Sequence, residues 1–363
     1  MLLPRWIGAL IAIGAVIAMA GACGPPAATL GSPVPTRSAN PSATGARPLG
    51  TAIGDLVSGF DGTAAIFIAF PGVADPIYAV DADTPFISAS LYKLAVLLRV
   101  ESLVDSGAVS YDDTITIEDA DVTVDGSNEY PGTVLTIDQA LEEMITYSDN
   151  GAALALLRVY GAHATNATLA SAGITGFRVA ESDAQDHTVT ARALGTFFDL
   201  LATRKLISAT ASERMLGRLE RQTINDRLPR DLPPDVAVAH KTGDLVGLIH
   251  DAGLIGTPSG PRIAVVLTSD GTEADAKDLI ARIGALVYSA VIPRPAGANS
   301  EPLPSTQTAW ARLGTITAVL LPIAAILILA LAALAAARRT MPRKVRRASG
   351  PMTVWSPDRT RRR

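Results

Sequence analysis

The chain has 363 residues, 48% of them hydrophobic, and its 31 basic and 35 acidic side chains give a formal net charge of −4. The mean hydropathy of +0.29 is high for a soluble protein and directs the search to membrane segments first. A single cysteine excludes an internal disulfide framework.

The N-terminal residues 1–22 predict a signal peptide, because Arg5 precedes an apolar core that ends in small residues. Cys23, the only cysteine, follows directly and resembles the lipid-carrying residue of a bacterial lipoprotein, although Ala20 stands where such signals usually have leucine. We therefore predict lipidation at Cys23. Cleavage by ordinary signal peptidase is the alternative.

Near the C-terminus, residues 314–337 contain no charged side chain and predict a transmembrane helix. The tail that follows, 338–363, carries ten Lys/Arg against one acid, Asp358. By the positive-inside rule this tail is cytoplasmic and the chain before residue 314 is extracytoplasmic. Membrane lipid is thus the expected partner of the tail, and the cell membrane is the expected location.

Two segments rich in Pro, Ala and Ser, 23–49 and 293–313, predict linkers. They leave residues 50–292 as the folded unit, a size that suits one domain. This unit holds 16 Lys/Arg and 33 Asp/Glu, a net charge of −17, so we predict no nucleic-acid partner. We also predict a monomer.

Within the folded unit, strands are predicted near both ends and helices mainly in the middle. Short apolar runs predict strands at 63–70, 76–84, 235–243, 249–257 and 262–270. A helical pattern covers 136–218, and an amphipathic helix over 273–291 closes the unit. Strands at both ends with helices between them indicate an α+β fold, in which an antiparallel sheet flanked by helices lies beside an all-helical subdomain. We expect the functional site in a cleft between the two parts.

The stretch "FISASLYKLAVLLRV", residues 86–100, places Lys93 in an otherwise apolar helical segment. Burying an ammonium group is costly unless the group is paired or loses its proton. Ser90 and Lys93 are three residues apart and share a helix face, so Lys93 could take the proton of the Ser90 hydroxyl. A lysine that extends its head group into water is the alternative.

Three short motifs follow one another in the chain: Ser-x-x-Lys at 90–93, Ser-Asp-Asn at 148–150 and Lys-Thr-Gly at 241–243. Each motif alone is weak, but together and in this order they are the set shared by class A β-lactamases and penicillin-binding proteins. The first opens a predicted helix, the second precedes one and the third ends a predicted strand. The chain resembles the class A β-lactamase family over nearly all of residues 50–292, which implies a β-lactamase/transpeptidase-like fold.

The resemblance implies a role in acylation for several residues. Ser90 is the expected nucleophile, Lys93 its base, and Ser148 the relay that protonates the leaving nitrogen. Asn150 is expected to bind Lys93 and the substrate amide. The backbone N–H groups of Ser90 and Asp244 are expected to stabilise the oxyanion.

The resemblance also implies a site for the substrate carboxylate, formed by Lys241 and Thr242. Where many members carry an arginine for this carboxylate, our alignment has His250, with Arg227 as the alternative. His240 and His250 form no cluster with carboxylates or cysteines at ligand spacing, so we predict no metal and no cofactor.

The deacylating residue is where the chain departs from the family. Class A enzymes use a glutamate in a Glu-x-x-Leu-Asn context on a loop, and Glu181 stands at about the matching position. The sequence that follows Glu181 lacks Leu-Asn, and only four residues separate Glu181 from Asp186, so the loop is predicted to be short. We favour Glu181 as a solvated acid, with a role as deacylating base as the alternative.

The predicted function is therefore a membrane-anchored extracytoplasmic serine hydrolase that is acylated at Ser90 by β-lactams and hydrolyses their amide, with slow deacylation. A D-alanyl-D-alanine peptidase-like enzyme acting on cell-wall peptides is the first alternative. A non-hydrolytic β-lactam sensor is the second and weaker one, because the 26-residue tail is too short for an output domain.

Overall fold

The computed structural model describes residues 48–123, 126–182, 185–293, 295–298 and 303. The predicted signal peptide, Cys23, the apolar segment 314–337 and the basic tail lie outside the described residues. Within the part of the chain that is described, no helix is long and apolar enough to cross a bilayer. The described residues belong to the unit that begins at residue 47.

The described elements are ten strands, eight α-helices and two short 3₁₀ helices. The strands are β1 Thr63–Ala69, β2 Tyr78–Val80, β3 Phe86–Ile87, β4 Thr114–Thr116, β5 Val134–Thr136, β6 Phe177–Arg178, β7 Thr188–Val189, β8 Val238–Leu245, β9 Leu248–Ile255 and β10 Arg262–Ser269. The α-helices are α1 Leu49–Ser58, α2 Lys93–Asp105, α3 Ile137–Thr146, α4 Asn150–Tyr160, α5 Ala162–Ser171, α6 Ala191–Ala202, α7 Ala209–Glu220 and α8 Glu273–Ser289. The 3₁₀ helices are Ala89–Tyr92 and Asp119–Asp121.

The main sheet has five antiparallel strands in the order β2-β1-β10-β9-β8. Its strands come from both ends of the folded unit, and the middle of the chain forms helices, so the predicted α+β fold is confirmed. The sequence did not predict α1 or the short strand pairs that interrupt the helical middle. It also placed the start of the folded unit at residue 50, one residue after α1 begins.

Both faces of the sheet are covered, and this explains why its strands read as continuous apolar runs. In β1, Ile66 and Ile68 face a core shared with α1 and α8, whereas Ala65 and Phe67 face the core of the helical subdomain. Gly195 of α6 permits close packing on the second face, because a Cβ there would lie 2.4 Å from the Phe67 ring.

Helix α2 is the central helix of the helical subdomain. Its residues 93–98 are all buried, and it contacts α3, α4, α5 and α7. A helix that is apolar on all sides must be enclosed by neighbours to be stable. Helix α2 begins at Lys93, directly after the 3₁₀ turn Ala89–Tyr92. This turn packs against β8, an edge strand of the sheet, so Lys93 lies where the helical subdomain meets the sheet.

Candidate active site

Ser90 lies in the 3₁₀ turn that leads into α2, and its side chain is partly exposed. Ala89, directly before it, has a φ of +46°, a conformation that costs a residue with a Cβ roughly 1–3 kcal/mol. Such strain is concentrated at functional sites, where neighbouring contacts maintain it. In the described part of the chain, no group accepts or donates a hydrogen bond with the Ser90 hydroxyl.

Lys93 is fully buried, so the alternative of a head group in water is wrong. Its Nζ donates to the backbone oxygen of Ser148 at 2.5 Å and to Asn150 Oδ1 at 2.7 Å, and lies 3.2 Å from Ser148 Oγ. The Lys93 amine is thus held by the Ser-Asp-Asn motif, 55 and 57 residues away, rather than by Ser90.

Ser148 presents both of its oxygens to Lys93 because its backbone adopts a φ of +60° between α3 and α4. Its hydroxyl also accepts a hydrogen bond from Lys241 Nζ at 2.8 Å. Asp149, next in the chain, caps α4 and accepts from Ala152 N at 2.6 Å. The motif therefore serves both as a helix cap and as the binding site of two amines.

The two lysines have low proton affinity because both are buried. Burial lowers the pKa of Lys93 to about 7, against the opposing charges of Asp149 and Asp244. Burial also holds the pKa of Lys241 well below its ordinary value, and the charge of Lys93 lowers it further. A neutral amine is therefore accessible near pH 7, as a general base requires.

Strand β8 supplies the Lys-Thr-Gly motif and approaches the Ser90 turn closely. Thr242 Oγ1 is buried and has no hydrogen-bond partner among the described residues, so it is available to a ligand. At Gly243, a Cβ would lie 3.0 Å from the Ser88 carbonyl oxygen and 3.3 Å from Ala89 Cβ. Glycine at this position lets β8 pack directly on the turn.

The predicted carboxylate-binding residues Arg227 and His250 are both buried beside β8. Arg227 donates to the His250 carbonyl oxygen at 3.0 Å and to Asp244 Oδ1. The His250 ring donates from Nε2 to the Ile87 carbonyl oxygen at 2.9 Å and accepts at Nδ1 from Thr268 N–H at 3.1 Å. Burial lowers the pKa of His250, so the neutral ring has both nitrogens occupied by the fold.

Glu181 does not join this group. Its carboxylate accepts from Asn166 Nδ2 at 3.1 Å and lies 3.5 Å from His163 Nδ1, both on α5. The Asn166 hydrogen bond holds the pKa of Glu181 below its usual value. The side chain is 42% exposed, as expected for a solvated acid.

His240, the other histidine beside the Lys-Thr-Gly motif, has internal partners at both nitrogens. Nδ1 lies 2.9 Å from Asp251 Oδ1, and Nε2 lies 3.0 Å from Asn225 Oδ1. No cluster of three His, Cys, Asp or Glu side chains able to hold a metal occurs among the described residues.

The sequence did not indicate a role for His187, which supports the turn before α2. Its ring stacks on Tyr92 with centroids 4.1 Å apart, its Nδ1 accepts from Ala180 N–H, and its carbonyl oxygen accepts from Ser88 N–H. A single histidine in a loop carries no sequence signal for such stacking.

Comparison with known proteins gives the family. A model described as the beta-lactamase enzyme family matches residues 48–291. The chain belongs to this family. It is accordingly a serine hydrolase with an acyl-enzyme mechanism.

Individual relatives agree with this assignment. Beta-lactamase VEB-1 from Pseudomonas aeruginosa is 26% identical over 210 residues, which cover 51% of this chain and 70% of VEB-1. The structure of PBP-A is 25% identical with a TM-score of 0.61, covering 66% of this chain and 94% of PBP-A. A β-lactamase from Sphaerobacter thermophilus has the same fold, with 24% identity, a TM-score of 0.61 and the same coverage.

Proposed function

We propose that Ser90 is acylated by β-lactams and that the resulting ester is released slowly. The observation that carries this proposal is the convergence of two buried lysines on the Ser148 hydroxyl, next to a partly exposed serine. Three polar groups held in this way can move one proton among them, as acyl transfer to a serine requires.

In the proposed reaction, neutral Lys93 takes the proton of the Ser90 hydroxyl as Ser90 Oγ bonds to the lactam carbonyl carbon. In free enzymes such catalytic hydrogen bonds are often long and shorten when substrate binds. The carbon–nitrogen bond then breaks, and the Ser148 hydroxyl gives its proton to the leaving nitrogen. Ser148 is reprotonated by the ammonium of Lys93, which restores the neutral amine.

The substrate is held by groups on both sides of the reacting bond. The N–H groups of Ser90 and Asp244 stabilise the oxyanion. Lys241 and the Thr242 hydroxyl, which has no partner among the described residues, bind the group beyond the scissile amide, and Asn150 binds the acyl side chain.

Slow release is supported by the contacts of Glu181, whose carboxylate lies against Asn166 and His163 of α5. In the described part of the chain, neither Ser90 nor Lys93 forms a hydrogen bond or ion pair with a carboxylate. A water molecule that attacks the ester therefore has no carboxylate bonded to Ser90 or Lys93 that could act as its base. Hydrolysis of β-lactams takes place at a low rate in this proposal.

A D-alanyl-D-alanine peptidase-like activity is the second candidate. It would use the same acylation of Ser90, which is supported by the likeness to PBP-A, of which a mutant has been solved as an acyl-enzyme complex with penicillin-G at 25% identity to this chain. Release of D-alanine from a cell-wall peptide, measured beside hydrolysis of a chromogenic cephalosporin, separates the two activities.

The location of the protein is also part of the proposal. A catalytic unit outside the cell, attached through lipid at Cys23 and a membrane helix over 314–337, follows from the apolar and basic segments of the sequence. Protease added to intact cells should remove residues 50–292 and leave an epitope placed after Arg363 protected. Cys23→Ser should abolish incorporation of labelled fatty acid.

Steady-state hydrolysis of a chromogenic cephalosporin tests the function directly. We expect one rapid turnover at most, followed by release over minutes, with no reaction in Ser90→Ala. Rapid multiple turnover would contradict slow release and make the protein an efficient β-lactamase.

A further inference from the structure

Asp244 is an acidic residue at the place where the proposed substrate group binds. It directly follows the Lys-Thr-Gly motif on β8, and its side chain is 45% exposed. Its Oδ1 accepts a hydrogen bond from Arg227, which is 1% exposed. The exposed carboxylate thus stands between solvent and the buried guanidinium.

The positive charge of Arg227 is already offset by neighbouring carboxylates and carbonyl oxygens. Its Nε lies within ion-pair distance of Asp226 Oδ1, at 3.2 Å, and its Nη1 donates to the Gly243 and His250 carbonyl oxygens at 3.3 and 3.0 Å. Two carboxylates and two carbonyl groups surround one guanidinium, so it has little attraction left for a substrate anion.

The negative charge of Asp244 reaches the centre of the site. It opposes the fall in pKa of both Lys93 and Lys241, so both ammonium groups lie within its field. A second carboxylate bound between Lys241 and Thr242 would lie in the same field and would be repelled by it.

We propose that Asp244 is a specificity-determining residue that disfavours acyl donors with a free carboxylate beyond the scissile amide and favours donors that are uncharged there. Substrates with an ester or amide at that position avoid the repulsion and still accept hydrogen bonds from Lys241 and Thr242. Discrimination by a repulsive group is a general means of selectivity. This inference rests on the proposed acylation of Ser90.

The test compares penicillin G with its methyl ester, two acyl donors that differ in this one charge. The second-order rate constant for acylation of Ser90 is measured by mass spectrometry on the purified full chain, for wild type and Asp244→Asn. We expect the ratio of the anion rate to the ester rate to rise at least about tenfold in Asp244→Asn, because the carboxylate that repels the anion is removed. Asp244→Ser should give the same direction of change.

Asp75→Asn is the matched control, since Asp75 is exposed and precedes β2, at the opposite edge of the sheet from β8. In Asp75→Asn the ratio of the anion rate to the ester rate should equal that of wild type. A ratio unchanged in both Asp244 variants, with Ser90 still acylated, would overturn the specificity role and leave the proposed function standing. Absence of acylation by both compounds in every variant would overturn the proposed function, and this inference with it.

Discussion

Lys93 and Lys241 share the hydroxyl of Ser148, which lies 3.2 Å from the amine of the first and 2.8 Å from that of the second. Two ammonium groups cannot both stay charged at this spacing in a buried site without a large electrostatic cost. The arrangement therefore favours loss of a proton from the pair, and Lys93, whose pKa is about 7, is the amine next to the Ser90 turn.

The rate of acylation should depend on the protonation of Lys93. Because only the neutral amine accepts a proton, the rate should rise with pH through about 7 and level off above it. The measurement is the pH profile of Ser90 acylation under conditions where substrate does not saturate. A rise that continues to pH 10, as an ordinary lysine would give, contradicts the assignment.

The buried lysine should also reduce stability in a pH-dependent way. Folding lowers the pKa of Lys93 from 10.5 to about 7, so between these values the unfolded chain binds a proton that the folded chain lacks. The resulting loss of stability grows as pH falls from 10.5 to 7 and is complete below 7.

Lys93→Met removes this loss, so the variant should gain more stability over wild type at pH 6 than at pH 10, by about 4 kcal/mol. Denaturant unfolding followed by far-ultraviolet circular dichroism measures it, because the three tryptophans of the chain lie outside residues 50–292. Equal stability differences at the two pH values would show that the Lys93 pKa does not change on folding.

Gly243→Ala should slow acylation because β8 must move away from the Ser90 turn. The new Cβ would lie 3.0 Å from the Ser88 carbonyl oxygen, so the two segments must separate by a few tenths of an ångström. Because a displacement of reacting groups by about 1 Å can cost roughly a hundredfold in rate, we expect a smaller loss than that. Gly217→Ala is the control, because its Cβ would meet nothing closer than 3.6 Å and alanine favours the helix. Equal acylation rates in the two variants would argue against close packing at Gly243.

Glu181→Gln should leave the lifetime of the acyl-enzyme within about twofold of wild type. The reason is that the carboxylate contacts Asn166 and His163 on α5 rather than the Ser90 turn, and a general base would contribute about a hundredfold or more. The lifetime is read from the decay of the mass increase at Ser90. An adduct that is trapped only in Glu181→Gln would identify Glu181 as the deacylating base.

Much of the fold could be predicted because local patterns determine it. The apolar runs at both ends of the unit gave the five strands of the main sheet, and their separation in sequence gave the α+β class. Helix α1 was missed because its ten residues, "LGTAIGDLVS", include two glycines, which weaken a helical pattern. The strands of two residues, such as Phe86–Ile87, depend on partners distant in sequence and leave no periodic signal.

The site residues were found because their motifs are short, and the family resemblance also gave the contact of Asn150 with Lys93, but most of the other contacts were not predicted. That Lys93 binds both oxygens of Ser148 depends on how α2 and α4 pack, which no spacing within one motif reveals. The pairing of Arg227 with Asp244 likewise joins residues 17 apart through the fold. Chain spacing aligned Glu181 with the family's base, whereas its contacts to α5 place the carboxylate elsewhere.

The most direct test of the account is the mass of the intact protein after mixing with penicillin G. We predict a stoichiometric increase by the mass of the penicillin, located at Ser90 by peptide mapping and persisting for minutes, absent in Ser90→Ala and formed at least about a hundredfold more slowly in Lys93→Ala. Lys205→Ala, which changes an exposed lysine on the surface, should behave as wild type. Adduct formation in Ser90→Ala, or an unchanged rate in Lys93→Ala, would contradict the account.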